Sequence, residues 1–186
     1  KGFYQSERFF ADMADDIRKA FTFNPSLSNR KTKEMSEQID HDENAVSIHV
    51  RRGDYLEPKY WKTTGCVCQL PYYLNAIAEM NKRISQPSYY VFSDDIAWVK
   101  ENLPLPKAFF IDWNKGTESW QDMMLMSRCR HHIICNSTFS WWGAWLNPRE
   151  NKTVIMPERW FRHCETPDIC PDKWIKVPIN QPDSIQ

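Results

Sequence analysis

Five short apolar runs, separated by segments with helical periodicity, most narrowly limit how this chain can fold. In the first run, AVSIHV, the β-branched residues Val46, Ile48 and Val50 alternate with Ser47 and His49, which is the period of a strand. The later runs read SYYVF, AFFID, HHIIC and TVIMP. Strands that alternate with helices assemble into a mostly parallel sheet with right-handed crossovers. The sequence therefore predicts an α/β fold in which helices flank a mostly parallel sheet.

Helices are predicted ahead of these runs and between them. The segment SERFFADMADDIRKAF places Phe10, Met13, Ile17 and Phe21 on one face, as in an amphipathic helix. Four further helical segments read PYYLNAIAEMNKRI, IAWVKENL, SWQDMMLMSRC and FSWWGAWL, the third with Ser119 as its candidate N-cap. The stretch NPSLSNRKTKEMSEQIDHDEN is polar and is predicted to be a loop.

Length and charge indicate one domain without a general field for polyanions. A chain of 186 residues fits one sizeable core. We predict a helix and polar loop over residues 1–44 that pack on an α/β domain over residues 45–175, with a tail over residues 176–186. Lys plus Arg (24) equals Asp plus Glu (24), which argues against nucleic acid as a partner. No run approaches the ~18 consecutive apolar residues of a membrane helix, so no transmembrane segment is predicted.

The spacing of the six cysteines favours reduced thiols over disulfides or a metal site. The two cysteines of CVC are separated by one residue, whereas zinc ligands are usually separated by two to four, and no second close pair follows. Cys129 and Cys135 flank a predicted strand, where cysteine behaves as a small buried hydrophobe. Cys164 and Cys170 are the pair most open to disulfide formation.

Polar side chains stand at the carboxyl ends of three predicted strands. RRGD (residues 51–54) follows the first strand, SDD (93–95) follows the second, and NST (136–138) follows the fourth at the start of a helix. In an open α/β sheet, ligands bind outside the carboxyl ends of the strands, which lie on one edge. We therefore expect the three clusters to converge on one ligand site.

An anion, with phosphate as the first candidate, is the ligand that this edge would bind. Arg51 and Arg52 carry planar guanidinium groups that match phosphate geometry. The hydroxyls of Ser137, Thr138 and Ser140 lie beside the free N–H groups that begin a helix. Together these groups suit a diphosphate. Three carboxylates would accept hydrogen bonds from the sugar hydroxyls and base edge of a nucleotide, namely Asp94, Asp95 and Asp122.

Each cluster also has a plainer interpretation. One arginine would pair with Asp54 while the other is solvated. The hydroxyls of Ser137 and Thr138 would simply cap a helix, and Asp94 and Asp95 would interact with a helix dipole. The coincidence of all these groups on one edge favours the ligand site.

Four motifs resemble family 11 of the glycosyltransferases, the α-1,2-fucosyltransferases, and most closely their bacterial members. They are HVRRGDY, YYVFSDDIAWVK, DMMLMSRCRHHIICNSTFSWWGAWLN and VIMPERWF, in the order and spacing of the family over residues 46–161. The resemblance implies a Rossmann-like, GT-B-like enzyme that transfers L-fucose from GDP-β-L-fucose to the 2-hydroxyl of a galactoside. It implies inversion of the anomeric centre and no metal or other cofactor.

The resemblance also implies which part of such an enzyme this chain is. Family members normally begin with a Gly-rich GGLGNQ-like strand and loop, and no such stretch occurs here. The chain is therefore expected to be the donor-binding, C-terminal half, with GDP-fucose and a galactose-containing oligosaccharide as its partners. A cytoplasmic location, free or peripheral to the inner membrane, is expected for a bacterial member.

Individual roles are implied for residues that match the family motifs and those of related α-1,6- and protein O-fucosyltransferases. His49 would lie near the guanine and Arg51 would bind the β-phosphate, while Asp122 would read the guanine edge. Arg51 and Asp54, the latter as general base, are the predicted catalytic residues. The predicted donor-binding residues are His49, Arg51, Arg52, Asp94, Asp95, Asp122, Asn136, Ser137, Thr138, Phe139 and Ser140.

The sequence bears on three other classes of function. A metal-dependent transferase would hold its ion through Asp-x-Asp just after a strand, but Asp40-His41-Asp42 precedes the strand and Asp94-Asp95 lacks the spacer. A glycoside hydrolase would use two facing carboxylates and would leave the arginines without a task. A non-catalytic GDP-sugar or carbohydrate-binding module, with the tryptophans of SWWGAWL as a stacking platform, is the alternative that stays open.

Overall fold

The computed structural model describes residues 3–179 as a six-stranded sheet with helices on both faces. Neighbouring strands are parallel throughout, in the order β3-β2-β1-β4-β5-β6. The strands are β1 (Ala45–Val50), β2 (Ser88–Ser93), β3 (Ala108–Ile111), β4 (His131–Ile133), β5 (Val154–Pro157) and β6 (Ile175–Val177). The predicted α/β class, with a Rossmann-like parallel sheet and flanking helices, is confirmed.

Seven α-helical segments lie in the described part of the chain. They are α1 (Ala14–Ala20), α2 (Arg30–Asp40), α3 (Pro58–Tyr60), α4 (Leu70–Arg83), α5 (Ile96–Asn102), α6 (Trp120–Arg128) and α7 (Thr138–Leu146). A π-helical turn, Trp61–Gly65, continues α3. The four helices predicted between the strands correspond to α4, α5, α6 and α7. Ser119 occupies the N-cap position of α6, although its side chain makes no capping hydrogen bond.

Strand β1 is the centre of the sheet because it pairs with β2 on one side and β4 on the other. All six of its residues are buried. Successive side chains of a strand point to opposite faces, so Val46, Ile48 and Val50 share one face and Ser47 and His49 share the other. The alternation in the sequence thus separates an apolar face from a polar one within a single buried strand.

Both faces of the sheet are covered by apolar cores. The face with Val46, Ile48 and Val50 packs against α4 and α5, which contribute buried residues such as Tyr72 and Val99. The opposite face packs against α2, α6 and α7 in two adjoining clusters. Burial on both faces explains why the strand runs are apolar almost throughout. Helix α7 starts near β1, where the ring centroid of Phe139 lies 5.6 Å from that of His49.

The prediction of a loop over NPSLSNRKTKEMSEQIDHDEN, residues 24–44, is wrong, because α2 occupies Arg30–Asp40 in the middle of this stretch. Asn29 caps the helix by accepting a hydrogen bond from the Thr32 backbone N–H at 2.9 Å. The buried residues of α2 are Thr32, Ser36 and Ile39, so most of its inner face is polar. A polar inner face produces no apolar periodicity, which is the signal on which helix prediction from sequence depends.

The N-terminal helix is shorter than predicted. Two 3₁₀ turns, Glu7–Phe9 and Ala11–Met13, precede α1. Of the predicted apolar face, Phe10 is buried and stacks on Trp142 with ring centroids 5.5 Å apart, whereas Met13 and Phe21 are about half exposed. The segment packs on α7 through this contact.

A sixth strand, β6, lies beyond the five that were predicted. Its three residues pair with β5 in parallel and cross the predicted boundary between the domain at residue 175 and the tail from residue 176. Residues 180–186 of that tail lie outside the described residues. The division of the chain into segments otherwise stays a prediction.

The described residues were searched for disulfides and for membrane-spanning helices, both of which the sequence analysis addressed. Residues 3–179 include all six cysteines, and no disulfide joins any pair of them, including Cys164 and Cys170. Within the same residues, no helix combines the length and the apolar character that crossing a bilayer requires.

Candidate functional site

A cleft of about 900 Å³ opens at the carboxyl ends of β1 to β4. In the strand order 3-2-1-4-5-6 the sequence of strands reverses direction between β1 and β4, and ligands of such sheets bind in the crevice at this switch point. Eight of the predicted site residues line the cleft, namely His49, Arg51, Asp54, Asp94, Asp122, Ser137, Thr138 and Phe139. The three polar strand ends therefore converge as the sequence predicted.

Arg51 enters the cleft directly after β1. Its Nε donates a hydrogen bond to Asp54 Oδ1 at 2.9 Å and lies 3.4 Å from Asp94 Oδ2. Within residues 3–179, the bond from Nε is the one hydrogen bond that this guanidinium donates to protein. Its remaining N–H groups are thus available for an anion, and the two carboxylates fix the direction in which the side chain points.

Arg52 turns the other way. Its Nε donates to Asp95 Oδ2 at 3.1 Å, and its guanidinium lies 4.0 Å from the centroid of the Trp98 ring on α5. Asp95 also caps α5 by accepting from the Trp98 backbone N–H at 3.1 Å. Arg52 and Asp95 do not line the cleft, because both side chains bind α5, and their donor-binding role stays a prediction. Adjacent residues at a strand end point to opposite faces, which explains the divergence of the two arginines.

Gly53 allows Asp94 to approach the turn after β1. The Asp94 carboxylate accepts a hydrogen bond from the Arg52 backbone N–H at 2.9 Å. A Cβ atom on residue 53 would lie 2.7 Å from Asp94 Oδ2, which is closer than real contacts allow. Glycine at this position thus lets the ends of β1 and β2 meet, and Asp94 joins Arg51 in the cleft.

His49 is buried at the base of the cleft, with 6% of its surface exposed. Its Nδ1 lies 3.3 Å from the Cys135 thiol, and its ring centroid lies 5.6 Å from that of Phe139. Burial, with a smaller contribution from the Arg51 charge, lowers the pKa of His49 to about 3. The imidazole is therefore neutral at physiological pH and provides a flat, uncharged surface beside Arg51.

The start of α7 lines the same cleft as Arg51. Ser137 occupies the N-cap position without a capping hydrogen bond from its side chain, and Thr138 and Phe139 follow it into the first turn. The first N–H groups of a helix lack partners within the helix, and the helix dipole favours negative charge there. An anion in the cleft would therefore meet a guanidinium on one side and backbone N–H groups on the other.

Asn136 and Ser140 hold this helix start in place instead of facing the cleft. The Asn136 side chain donates to the carbonyls of Thr64 and Trp160, both at 3.0 Å. The Ser140 hydroxyl is fully buried and donates to the Cys135 carbonyl at 3.2 Å. Each side chain is used within the protein to fix the loop between β4 and α7, and their donor-binding role stays a prediction.

Asp122, on the first turn of α6, faces the cleft from the side of β3. Its Oδ1 accepts a hydrogen bond from Asn114 Nδ2 at 2.8 Å. Burial raises the pKa of Asp122 to about 7, and the bond from Asn114 opposes that rise. The carboxylate is thus a hydrogen-bond acceptor whose charge changes near neutral pH.

The polar residues that follow β3 line the cleft but were not predicted from the sequence. Asp112, Asn114 and Lys115 follow β3 in the stretch AFFIDWNKG and line the cleft with the rest. The rule that found the other strand ends applies equally to β3, so the signal was present in the sequence. Lys115 is a second basic residue of the cleft, in addition to Arg51.

Among the residues that the structure describes, no group of three or more His, Cys, Asp or Glu side chains is arranged to hold a metal ion.

The fold and the cleft define a Rossmann-like α/β protein with a polar ligand site at its switch point, lined by charged side chains of both signs. The sequence profile of glycosyl transferase family 11 matches residues 1–177, and the chain belongs to this family. The predicted resemblance is confirmed.

Bacterial and primate relatives support this assignment. The chain is 37% identical to an alpha-1,2-colitosyltransferase of Escherichia coli, over 95% of this chain and 61% of the relative. It is 33% identical to the O-antigen biosynthesis glycosyltransferase WbnK of the same species, over 94% and 59%. A galactoside alpha-(1,2)-fucosyltransferase 1 of Ateles belzebuth is 31% identical over 78% and 42%. The chain thus spans about 60% of the length of its bacterial relatives.

Proposed function

We propose that this chain is the donor-binding part of an inverting α-1,2-fucosyltransferase that uses GDP-β-L-fucose without a metal. The acceptor would be the 2-hydroxyl of a galactoside. The observation that carries the proposal is that Arg51 and the start of α7 line one cleft at the switch point. Family membership and the names of the relatives support the reaction class.

The phosphate side of the proposal rests on charge. When the sugar leaves, negative charge develops on the diphosphate, and donors that are already oriented stabilise it most. Arg51 is oriented by Asp54 and Asp94 before any ligand arrives, and the N–H groups at the start of α7 are fixed by the buried Ser140. This pair of walls would supply the positive potential that a metal ion supplies in other transferases.

The base side of the proposal rests on Asp122 and His49. Guanine presents two N–H donors on one edge, and an ionised carboxylate accepts both. Asp122 is such an acceptor in the cleft, and the neutral His49 ring with Phe139 offers an apolar surface next to it. A uracil edge offers one N–H donor between two carbonyl groups, so the same carboxylate would discriminate against uridine nucleotides.

Asp54 is the candidate general base. Inversion requires a group that takes the proton from the acceptor hydroxyl as the new bond forms. The Asp54 carboxylate lies in the cleft beside Arg51, and 38% of its side chain is exposed. The carboxylate is exposed at the mouth of the cleft, which is where an acceptor would enter.

A donor without the 3-hydroxyl is the second candidate for the sugar. Colitose is L-fucose without its 3-hydroxyl group, and the relative with 37% identity is named a colitosyltransferase. The two donors share the diphosphate and base contacts proposed above, so the choice between them depends on residues that contact the sugar ring.

Calorimetric titration with a panel of ligands tests the proposal. We expect saturable binding of GDP, GDP-fucose and GDP-colitose, weaker binding of GDP-mannose, and no binding of UDP-galactose. Free L-fucose and lactose are included as controls. Binding of a free sugar without any GDP binding would contradict the proposal and favour a carbohydrate-binding module.

A further inference from the structure

A chain of hydrogen bonds runs from α2 to the carboxylate of Asp122. The Trp113 indole N–H donates to Thr32 Oγ1 at 3.0 Å, and the Thr32 hydroxyl donates to Asn114 Oδ1 at 3.1 Å. Asn29 Nδ2 donates to the same Asn114 oxygen at 2.7 Å. Asn114 Nδ2 then donates to Asp122 Oδ1 at 2.8 Å.

The partners of Asn114 fix the orientation of its amide. Its oxygen accepts from two donors, so a flipped amide would place its NH₂ group against the donors of Asn29 and Thr32. Asn114 is also buried, with 7% of its surface exposed, and Thr32 is fully buried. The NH₂ group must therefore point at Asp122, and every bond in the chain donates toward that carboxylate.

We infer that Asn114 is a positioning residue that, held by Asn29 and Thr32 of α2, orients Asp122 as an acceptor for the nucleobase of the donor. This inference rests on the proposed function for the identity of the ligand. It assigns a task to α2, which lies outside the cleft, and to an asparagine at the end of β3. A donor to the ionised form of a carboxylate favours that form, so the same bond keeps Asp122 able to accept.

Several other titratable groups lie in the cleft and on the elements around Asp122. The other titratable side chains of the cleft are His49, Arg51, Asp54, Tyr55, Asp94, Asp112 and Lys115. On the flanking elements, Glu118 accepts from Gln121, Lys31 lies 5.8 Å from the centroid of the Trp113 ring, and Arg128 pairs with Asp40. Helix α7 carries no charged residue. Asn114 is the one hydrogen-bond donor to Asp122 within residues 3–179.

The test follows the titration of Asp122 directly. Burial raises the pKa of Asp122 and the Asn114 bond lowers it, so Asn114→Ala should raise the pKa further, by about one unit. Carbon-13 NMR of the Asp122 carboxyl group measures this without any nucleotide. GDP affinity, which requires the ionised form, should then be about fivefold below that of the wild-type protein at pH 7, and the difference should narrow as the pH is raised toward 9.

Controls separate positioning from damage to the fold. Asn102→Ala removes an asparagine that donates to the Trp98 carbonyl away from the cleft, and it should leave both titrations unchanged. If Asn114→Ala does not fold, Thr32→Val removes one donor to Asn114 and should shift the Asp122 titration upward by a smaller amount. An unchanged Asp122 titration in the folded variant would overturn the inference. Failure of the wild-type protein to bind GDP would instead overturn the proposed function, and the NMR titration would still decide the role of Asn114.

Discussion

Replacing Arg51 by lysine is expected to weaken GDP binding by about 1–3 kcal/mol, or roughly 5- to 150-fold. Lysine keeps the positive charge but loses the planar fork that binds two phosphate oxygens at once. It also cannot reproduce the contacts of Nε with Asp54 and Asp94, which orient the side chain. Calorimetry of the two proteins with GDP measures the difference.

The matched control is Arg52→Lys. Arg52 stacks on Trp98 and pairs with Asp95 away from the cleft, so this change should leave GDP affinity within about twofold. It should instead lower the free energy of unfolding by about 1 kcal/mol, since it disturbs a cation–π contact. Equal losses of affinity in the two variants would contradict the roles that the structure assigns to them.

The 186-residue chain is expected to bind GDP-fucose but to form no detectable fucosylated lactose or N-acetyllactosamine. Transfer requires the acceptor hydroxyl and the donor carbon to be held in attack geometry, and such positioning can contribute ~7–11 kcal/mol. The chain matches only 61% and 59% of the length of its bacterial relatives, and we expect acceptor-binding groups in the part they have in addition. Slow hydrolysis of the donor is the most that this cleft should support.

Mass spectrometry of long incubations tests this expectation. A full-length family 11 fucosyltransferase, incubated in parallel, shows that donor and acceptor are competent. Efficient transfer by the 186-residue chain would show that the donor-binding domain is sufficient for catalysis, contrary to the two-part account.

The arrangement of the sheet could be predicted because its signal is local in the sequence. Val46, Ile48 and Val50 alternate within one strand, and the polar residues that follow must lie at its carboxyl end. Because the carboxyl ends of parallel strands lie at one edge of the sheet, these positions were enough to predict that Arg51 and Ser137 lie at the same site. No contact between distant parts of the chain had to be known.

The parts that were missed depend on polar contacts between distant residues. Helix α2 buries Thr32, which is satisfied by Asn114, 82 positions later. Neither Thr32 nor Asn114 belongs to a periodic run of apolar residues, so nothing in the neighbouring sequence indicates that it is buried. The same limit explains why the intramolecular hydrogen bonds of Asn136 and Ser140 were not predicted. Their position after a strand does not tell whether a side chain faces a ligand or bonds to the protein backbone.

Metal independence tests the central claim most directly, because the claim is that Arg51 and the start of α7 together bind the diphosphate. GDP is titrated calorimetrically into the protein in excess EDTA and, separately, in millimolar Mg²⁺. We predict the same dissociation constant in both buffers, since the positive potential comes from the protein. Loss of GDP binding in EDTA, restored by Mg²⁺, would contradict the account.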